Sequence, residues 1–279
     1  MNEKSGSPSA EQQPPSFSRI QLVLYPLLVI GLFFVTGLAV ALAVQRGVLR
    51  QGSLLLALLV YALNFFLFAG GAFLLAVWPG KLTWAELGIA PPRWRWLWLL
   101  LAVGVTLILL PLRGLIGLIA QQWFGGGLEG MQSRLDLLLG GEMSWPRFFV
   151  TLLGAGFLAP VAEELFFRGF LYTALRQRLG IAAAVTISSL VFAVGHIDAL
   201  GVVAASFIMG IVLALAYEYT RSLWVAIAIH AFNNSLATVL VYLLMLVQAY
   251  LEGQGIDPAL WTSPLPVPTP WNSPLPFPP

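Results

Sequence analysis

From Ile20 to Val44 the chain runs for 25 residues without a charged side chain. At about 1.5 Å per residue that is enough helix to cross a hydrocarbon core of roughly 30 Å. The run leaves few alternatives, because in lipid every backbone amide and carbonyl must be satisfied inside the segment, which a helix does. Ala41-Leu42-Ala43 imitates a signal-peptidase site, but the apolar run before it is about twice a signal-peptide core of roughly 7 to 15 residues, so a retained helix is expected. Further apolar runs over 53–78, 96–120, 147–175, 181–196, 199–218 and 223–250 predict seven spans, with an eighth if the last run breaks near Asn233-Asn234. Trp78, Trp94, Trp96, Trp98 and Trp224 fall near span ends as interfacial anchors, and Arg113 either shortens the third span or snorkels. The expected fold is an all-α, polytopic transmembrane helix bundle.

Charged residues are only 9% of the chain, against about 25% in a soluble domain, so no stretch is polar enough for a separate one. Four regions are expected: a polar N-terminal segment (1–19), N-terminal helices and a loop (20–146), a core (147–250) and a proline-rich tail (251–279). For seven spans, Lys4, Arg19, Lys81, Arg93, Arg95, Arg176, Arg178 and Arg221 share the N-terminal side, with Arg46, Arg50, Arg134 and Arg147 opposite. That bias favours a cytoplasmic N-terminus in a multi-pass membrane protein. The loop Gln121 to Pro146 reads as a surface connection. The tail repeats a Trp-x-Ser-Pro-Leu-Pro pattern at Trp261 and Trp271, expected to be extended polyproline II whose partner the sequence does not name. Net charge +2 with scattered basic residues excludes nucleic-acid binding, and Cys 0 excludes disulfides, thiolate metal sites and cysteine nucleophiles.

Glu163, Glu164 and Arg168 lie inside the apolar stretch Phe148 to Leu175. Each would cost about 2.5 to 3.5 kcal/mol at the centre of an inserted helix, so they must pair, neutralise or line a wet cavity. Glu164 and Arg168 are i and i+4 and can form an ion pair, whereas Glu163 diverges from Arg168 by about 140° and is the spare carboxylate. Pro160 lacks the amide that would bond the Gly156 carbonyl and loosens the helix just before the acids. Only two histidines occur, both in apolar surroundings: His196 closes the run Ile181 to Gly195, and His230 lies two turns into the last span, with Asn234 at i+4 on the same face. Asp198, Asn64 and Glu218 read as span-end residues that solvation explains. If Arg178 and Arg221 mark the inner surface, Glu163 lies about 22 Å and His230 about 13 Å along their helices, so tilt or a kink must level them.

A carboxylate, two imidazoles and a carboxamide suit water activation. A carboxylate in apolar surroundings is a stronger base, so Glu163 can take a proton from water held by a neutral His196. His230 and Asn234 can then donate to the oxyanion of a tetrahedral intermediate. No cofactor is required on this reading. The alternative is zinc held by Glu163, His196 and His230 with an open fourth position, although the H-E-x-x-H helix signature is absent.

Glu163-Glu164-Leu165-Phe166-Phe167-Arg168, Phe192-Ala193-Val194-Gly195-His196 and His230-Ala231-Phe232-Asn233-Asn234 resemble, in order, the E-E-x-x-x-R, F-x-x-x-H and H-x-x-x-N motifs of the CPBP family of intramembrane proteases. That family includes type II CAAX prenyl proteases and bacterial proteins tied to bacteriocin processing or self-immunity. Phe167-Arg168-Gly169-Phe170 and Thr220-Arg221-Ser222-Leu223-Trp224 are also typical of it, and the resemblance covers about 147–240. It implies a helical bundle whose site opens toward the membrane and the cytoplasmic side. It also implies Glu163 as general base, His196 as its partner on water, His230 with Asn234 as oxyanion pocket, and Glu164 with Arg168 in support. The family has been described both as metalloproteases and as metal-independent glutamate proteases, and the glutamate type is favoured here. The substrate would be a peptide or protein at the bilayer, with lipidation open. A non-catalytic membrane scaffold or bacteriocin-immunity-type protein is the rival reading. A proton-coupled transporter is a third, for which no inverted repeat is visible.

Overall fold

The computed structural model describes residues 17–89, 95–124, 144–197 and 200–254, and within these every regular element is helical. The helices are α1 (Arg19–Gln45), α2 (Leu54–Val77), α3 (Arg95–Phe124), α4 (Trp145–Arg176), α5 (Ile181–Val194), α6 (Leu200–Thr220) and α7 (Leu223–Gly253). All but α5 are long and apolar enough to cross a membrane. α5 has 14 residues, about 21 Å of helix, so the expected span over 181–196 is present only as a short one. α7 runs unbroken past Asn233-Asn234, so the extra span does not form. The chain divides into two compact units, Met1–Val239 and Leu240–Pro279, and the first holds the acids and both histidines. The loop over 125–143, Trp94, Asp198 and the proline repeat lie outside the described residues.

Local chemistry sets the helix ends. Ser18 caps α1 by accepting from the Gln21 amide while the Gln21 side chain accepts from the Ser18 amide, a reciprocal capping box. Ser53 caps α2 in the same sense. Gly180 precedes α5 and Gly195 follows it. Gly88 has φ +79°, and a Cβ there would come within 2.5 Å of the Tyr217 ring; its carbonyl accepts from the Leu223 amide and so ties the turn after α2 to the start of α7.

The outward faces are apolar, as lipid demands: Leu24, Leu28 and Leu38 of α1 and Leu99, Leu107 and Ile108 of α3 are exposed. Inside, α2 packs along α4, and α6 lies against both α3 and α5. Gly210 lets α6 approach α5 so closely that a Cβ would sit 3.0 Å from the Ser189 Cα. Phe166, Phe167 and Phe170 on α4 pack with Phe17, Phe68 and Phe192 into an aromatic core. Phe17 is fully buried, and its carbonyl accepts two hydrogen bonds from Arg178.

Two sequence expectations are corrected. Glu218 is not a solvated span end: its side chain is buried and accepts from Tyr172, Arg176 and Arg221. Its partners on α4 lie more than forty positions away, so only packing reveals them. Asn64 is no span-end residue either, since it lies ten residues inside α2.

Candidate active site

The helix that carries the acids is not a plain α-helix. α4 widens to i→i+5 turns over Gly154–Leu158 and again over Leu165–Tyr172. In the first widened turn the Ala159 amide reaches back to the Gly154 carbonyl. Continuing that register, residue 160 would donate to Ala155, and Pro160 has no amide to give. The carbonyls left over are taken up by α7: Asn234 Nδ2 donates to the Ala155 oxygen at 3.2 Å and Ser235 Oγ to the Gly156 oxygen at 3.3 Å. Pro160 therefore does more than loosen α4; it leaves the Ala155 oxygen free to dock the helix bearing His230, and Ser235 adds a second bond at Gly156. A carbonyl only accepts, so the Ala155 bond also fixes which end of the Asn234 amide faces it. Asn233, fully buried on the same helix, agrees by donating to Asn234 Oδ1 at 3.2 Å.

Between the two widened turns come Glu163 and Glu164, whose side chains have different surroundings. Glu164 is completely enclosed, and its Oε1 accepts from Arg168 Nη1 at 2.8 Å and lies 2.7 Å from His230 Nδ1. Arg168 is 1% exposed and also donates to the Gly210 carbonyl at 3.1 Å. The expected i, i+4 ion pair is thus in place, with His230 as an added partner. Glu163 points another way. Its side chain keeps 11% exposure, Oε2 is 3.9 Å from His230 Nε2, and Oε1 accepts a long 3.4 Å hydrogen bond from Asn64 Nδ2 on α2. Glu163 is therefore the more accessible of the two acids.

Phe192 joins the second histidine to this cluster. Its ring lies under the Arg168 guanidinium at 4.6 Å, edge-on to His230 at 5.7 Å and 4.7 Å from the His196 ring. Its carbonyl is 3.0 Å from His196 Nδ1. Since the carbonyl can only accept, Nδ1 carries the proton, and the Nε2 of a neutral His196 is left as an acceptor. The spacing F-x-x-x-H is thus a backbone device that sets a tautomer.

The depth mismatch seen in the sequence is resolved, because Glu163 and His230 meet. The widened turns and packing of α4 bring them to one level. His196 follows suit: it lies about 22 Å along α5 from Ile181, and Glu163 about 20 Å back along α4 from Arg176, both measured from the same end.

Of the expected residues, the structure brings Glu163, Glu164, Arg168 and His230 into direct contact or near it, adds His196 through Phe192, and sets Asn234 one turn beyond His230 against α4. Asn64 is the residue that sequence reasoning missed. No group of three His, Asp or Glu side chains arranged to hold a metal ion occurs among the described residues.

Residues 145–236 match the family model described as type II CAAX prenyl endopeptidase Rce1-like. The membrane-embedded CAAX protease MroQ of Staphylococcus aureus (strain USA300) is 28% identical over 167 residues, 58% of this chain and 63% of that protein. A Bacillus subtilis (strain 168) protein named as a membrane peptidase, YdiL, is 30% identical over 149 residues, 53% of this chain and 57% of that one. The chain thus matches less than two thirds of the length of either relative. No solved structure matches it.

Proposed function

We propose that the chain, whose residues 145–236 match the type II CAAX prenyl endopeptidase Rce1-like model, is an intramembrane endopeptidase of the CPBP kind that hydrolyses peptide bonds with water activated by Glu163. The observation that carries this reading is the division of labour between the adjacent acids: Glu164 is enclosed with Arg168 and His230, while Glu163 is turned toward the accessible side of the same cluster.

In this mechanism a water lies between Glu163 and His196 Nε2. As its oxygen bonds to the scissile carbonyl carbon, its proton passes to Glu163 and the carbonyl electron pair moves onto oxygen. His230 Nε2–H and the second N–H of Asn234 stabilise that oxyanion. For His230 to donate from Nε2 while Nδ1 donates to Glu164, the ring must hold both protons, with the two carboxylates Glu163 and Glu164 balancing it and Arg168 together. Collapse breaks the C–N bond, and the proton on Glu163 goes to the leaving amine. Glu164 and Arg168 act by holding His230.

The setting is a multi-pass protein of a bacterial plasma membrane with its N-terminus in the cytoplasm, in line with the bias of basic residues. The substrate is a peptide or protein segment at the bilayer, and prenylated and unprenylated chains are both tested. The test is proteolysis by purified protein of a quenched peptide library that includes prenylated members. Wild type should cleave and Glu163→Gln should not, while remaining folded; equal turnover by both would eliminate Glu163 as the base.

A further inference from the structure

Asn64 lies ten residues inside α2, far enough from either end of the helix that bulk water does not serve its amide. A carboxamide at such depth needs partners supplied by the protein. It belongs to the N-terminal half, outside the stretch 145–236 matched to the family model, and its partner Glu163 is 99 positions away. Only the packing of α2 along α4 brings them together.

The two ends of this amide do different things. Glu163 Oε1 can only accept from it, so Nδ2 is the end turned to the acid, at 3.4 Å. That leaves Asn64 Oδ1 on the other side, buried and without a hydrogen-bond partner among the described residues. A buried amide oxygen without a partner costs about 1–3 kcal/mol unless something donates to it. The adjacent α2–α4 contact is tight: a Cβ on Gly154 would sit 2.2 Å from the Tyr61 ring, three residues before Asn64. Asn64 is held where it is by that packing, and Glu163 is the side chain it is held against.

We propose that Asn64 is a positioning residue of the hydrolytic site, donating from Nδ2 to Glu163 Oε1 so that Oε2 is the basic oxygen, and accepting a hydrogen bond from an active-site water at Oδ1. This deepens the protease reading and rests on it for the reaction, though not for the water. The nucleophilic water's two protons face Glu163 and His196 Nε2, so the water at Oδ1 is a second one; it fixes the Asn64 amide and through Nδ2 the Glu163 carboxylate, and fixed orientation is where a site gains most rate. The bond at 3.4 Å is of the kind that shortens when substrate closes the site.

Two measurements decide it. In an experimental structure of the wild-type protein resolved well enough to show water, a water should lie within hydrogen-bond distance of Asn64 Oδ1. In Asn64→Leu, which keeps the branched shape and suits an apolar helix, that water should be gone with the backbone unmoved. An ordered Oδ1 with no water overturns the proposal whether or not the protein cleaves anything. On a cleaved peptide, Asn64→Leu should lower kcat about 10- to 100-fold at nearly unchanged KM, with unfolding resistance at or above wild type. Asn64→Gln should recover part of the loss. A kcat within twofold of wild type for Asn64→Leu, or a defect in KM alone, overturns the role. If wild type and Glu163→Gln are equally inert, the protease reading fails, and the water at Oδ1 still decides for or against Asn64.

Discussion

Arg168→Met removes one member of an ion pair whose side chains are 1% and 0% exposed and 2.8 Å apart. The substitution keeps most of the stem volume but strands the Glu164 carboxylate. It also withdraws the donor to Gly210 and the cation over Phe192 at 4.6 Å. Breaking a buried pair from one side costs about 3–5 kcal/mol, most of it the penalty on the charge left behind. The lost cation–π contact is part of that figure rather than an addition, since the effects share one group. Glu164→Gln with Arg168→Met removes both charges and leaves the Gln oxygen able to accept from His230 Nδ1. This double variant should lie about 1–2 kcal/mol below wild type, giving a coupling of at least about 2 kcal/mol. The assay is reversible unfolding in mixed micelles, followed by circular dichroism, for wild type, both single variants and the double. Additive losses, with the double variant as unstable as the sum of the singles, would refute the claim that Glu164 and Arg168 neutralise each other inside the protein.

Other substitutions test other parts of the structure. Gly154→Ala puts a Cβ 2.2 Å from the Tyr61 ring and should cost about 1–3 kcal/mol in the same unfolding assay, whereas Gly104→Ala, with nothing within 4 Å, should be neutral or slightly stabilising. Asn234→Ala removes the proposed donor to the oxyanion and the bond to Ala155. It should lower kcat about 10²- to 10³-fold with little change in peptide affinity, and a defect in affinity alone would contradict the assigned role. Arg221 sits at φ +53° with a mostly exposed side chain on Glu218, so Arg221→Gly exchanges about 1 kcal/mol of backbone strain for a surface ion pair and should leave stability nearly unchanged. Glu218→Ala removes the acceptor for Tyr172 and Arg176 and should cost about 1.5–3 kcal/mol, which thermal unfolding can read.

What could be read in the sequence depended on cost. Glu163, Glu164 and Arg168 announce themselves because a charge among lipid-length apolar residues demands an explanation, and the two histidines because the chain has no others. The ion pair was legible from i, i+4 spacing alone. Asn64 was not, since an uncharged amide in an apolar run raises no alarm and its partner is distant in sequence. The widened turns of α4 were half legible: Pro160 showed that a carbonyl would be freed, but not that Asn234 and Ser235 would take up the slack. The same limit hid the role of Phe192, whose carbonyl and ring both act on histidines, and made Glu218 look solvated when its cover comes from α4. The apolar run over 181–196 was legible as a helix, but at 14 residues α5 is shorter than the other spans.

The central claim is that Glu163, without a metal, activates the water. The most direct measurement is the cleavage rate of purified protein on one cleaved peptide after exhaustive chelation, with bound metal quantified and zinc added back, alongside Glu163→Gln. The account predicts full turnover by the metal-free wild type, no effect of zinc, and no turnover by Glu163→Gln even though peptide still binds. Turnover lost on chelation and restored by stoichiometric zinc would contradict it.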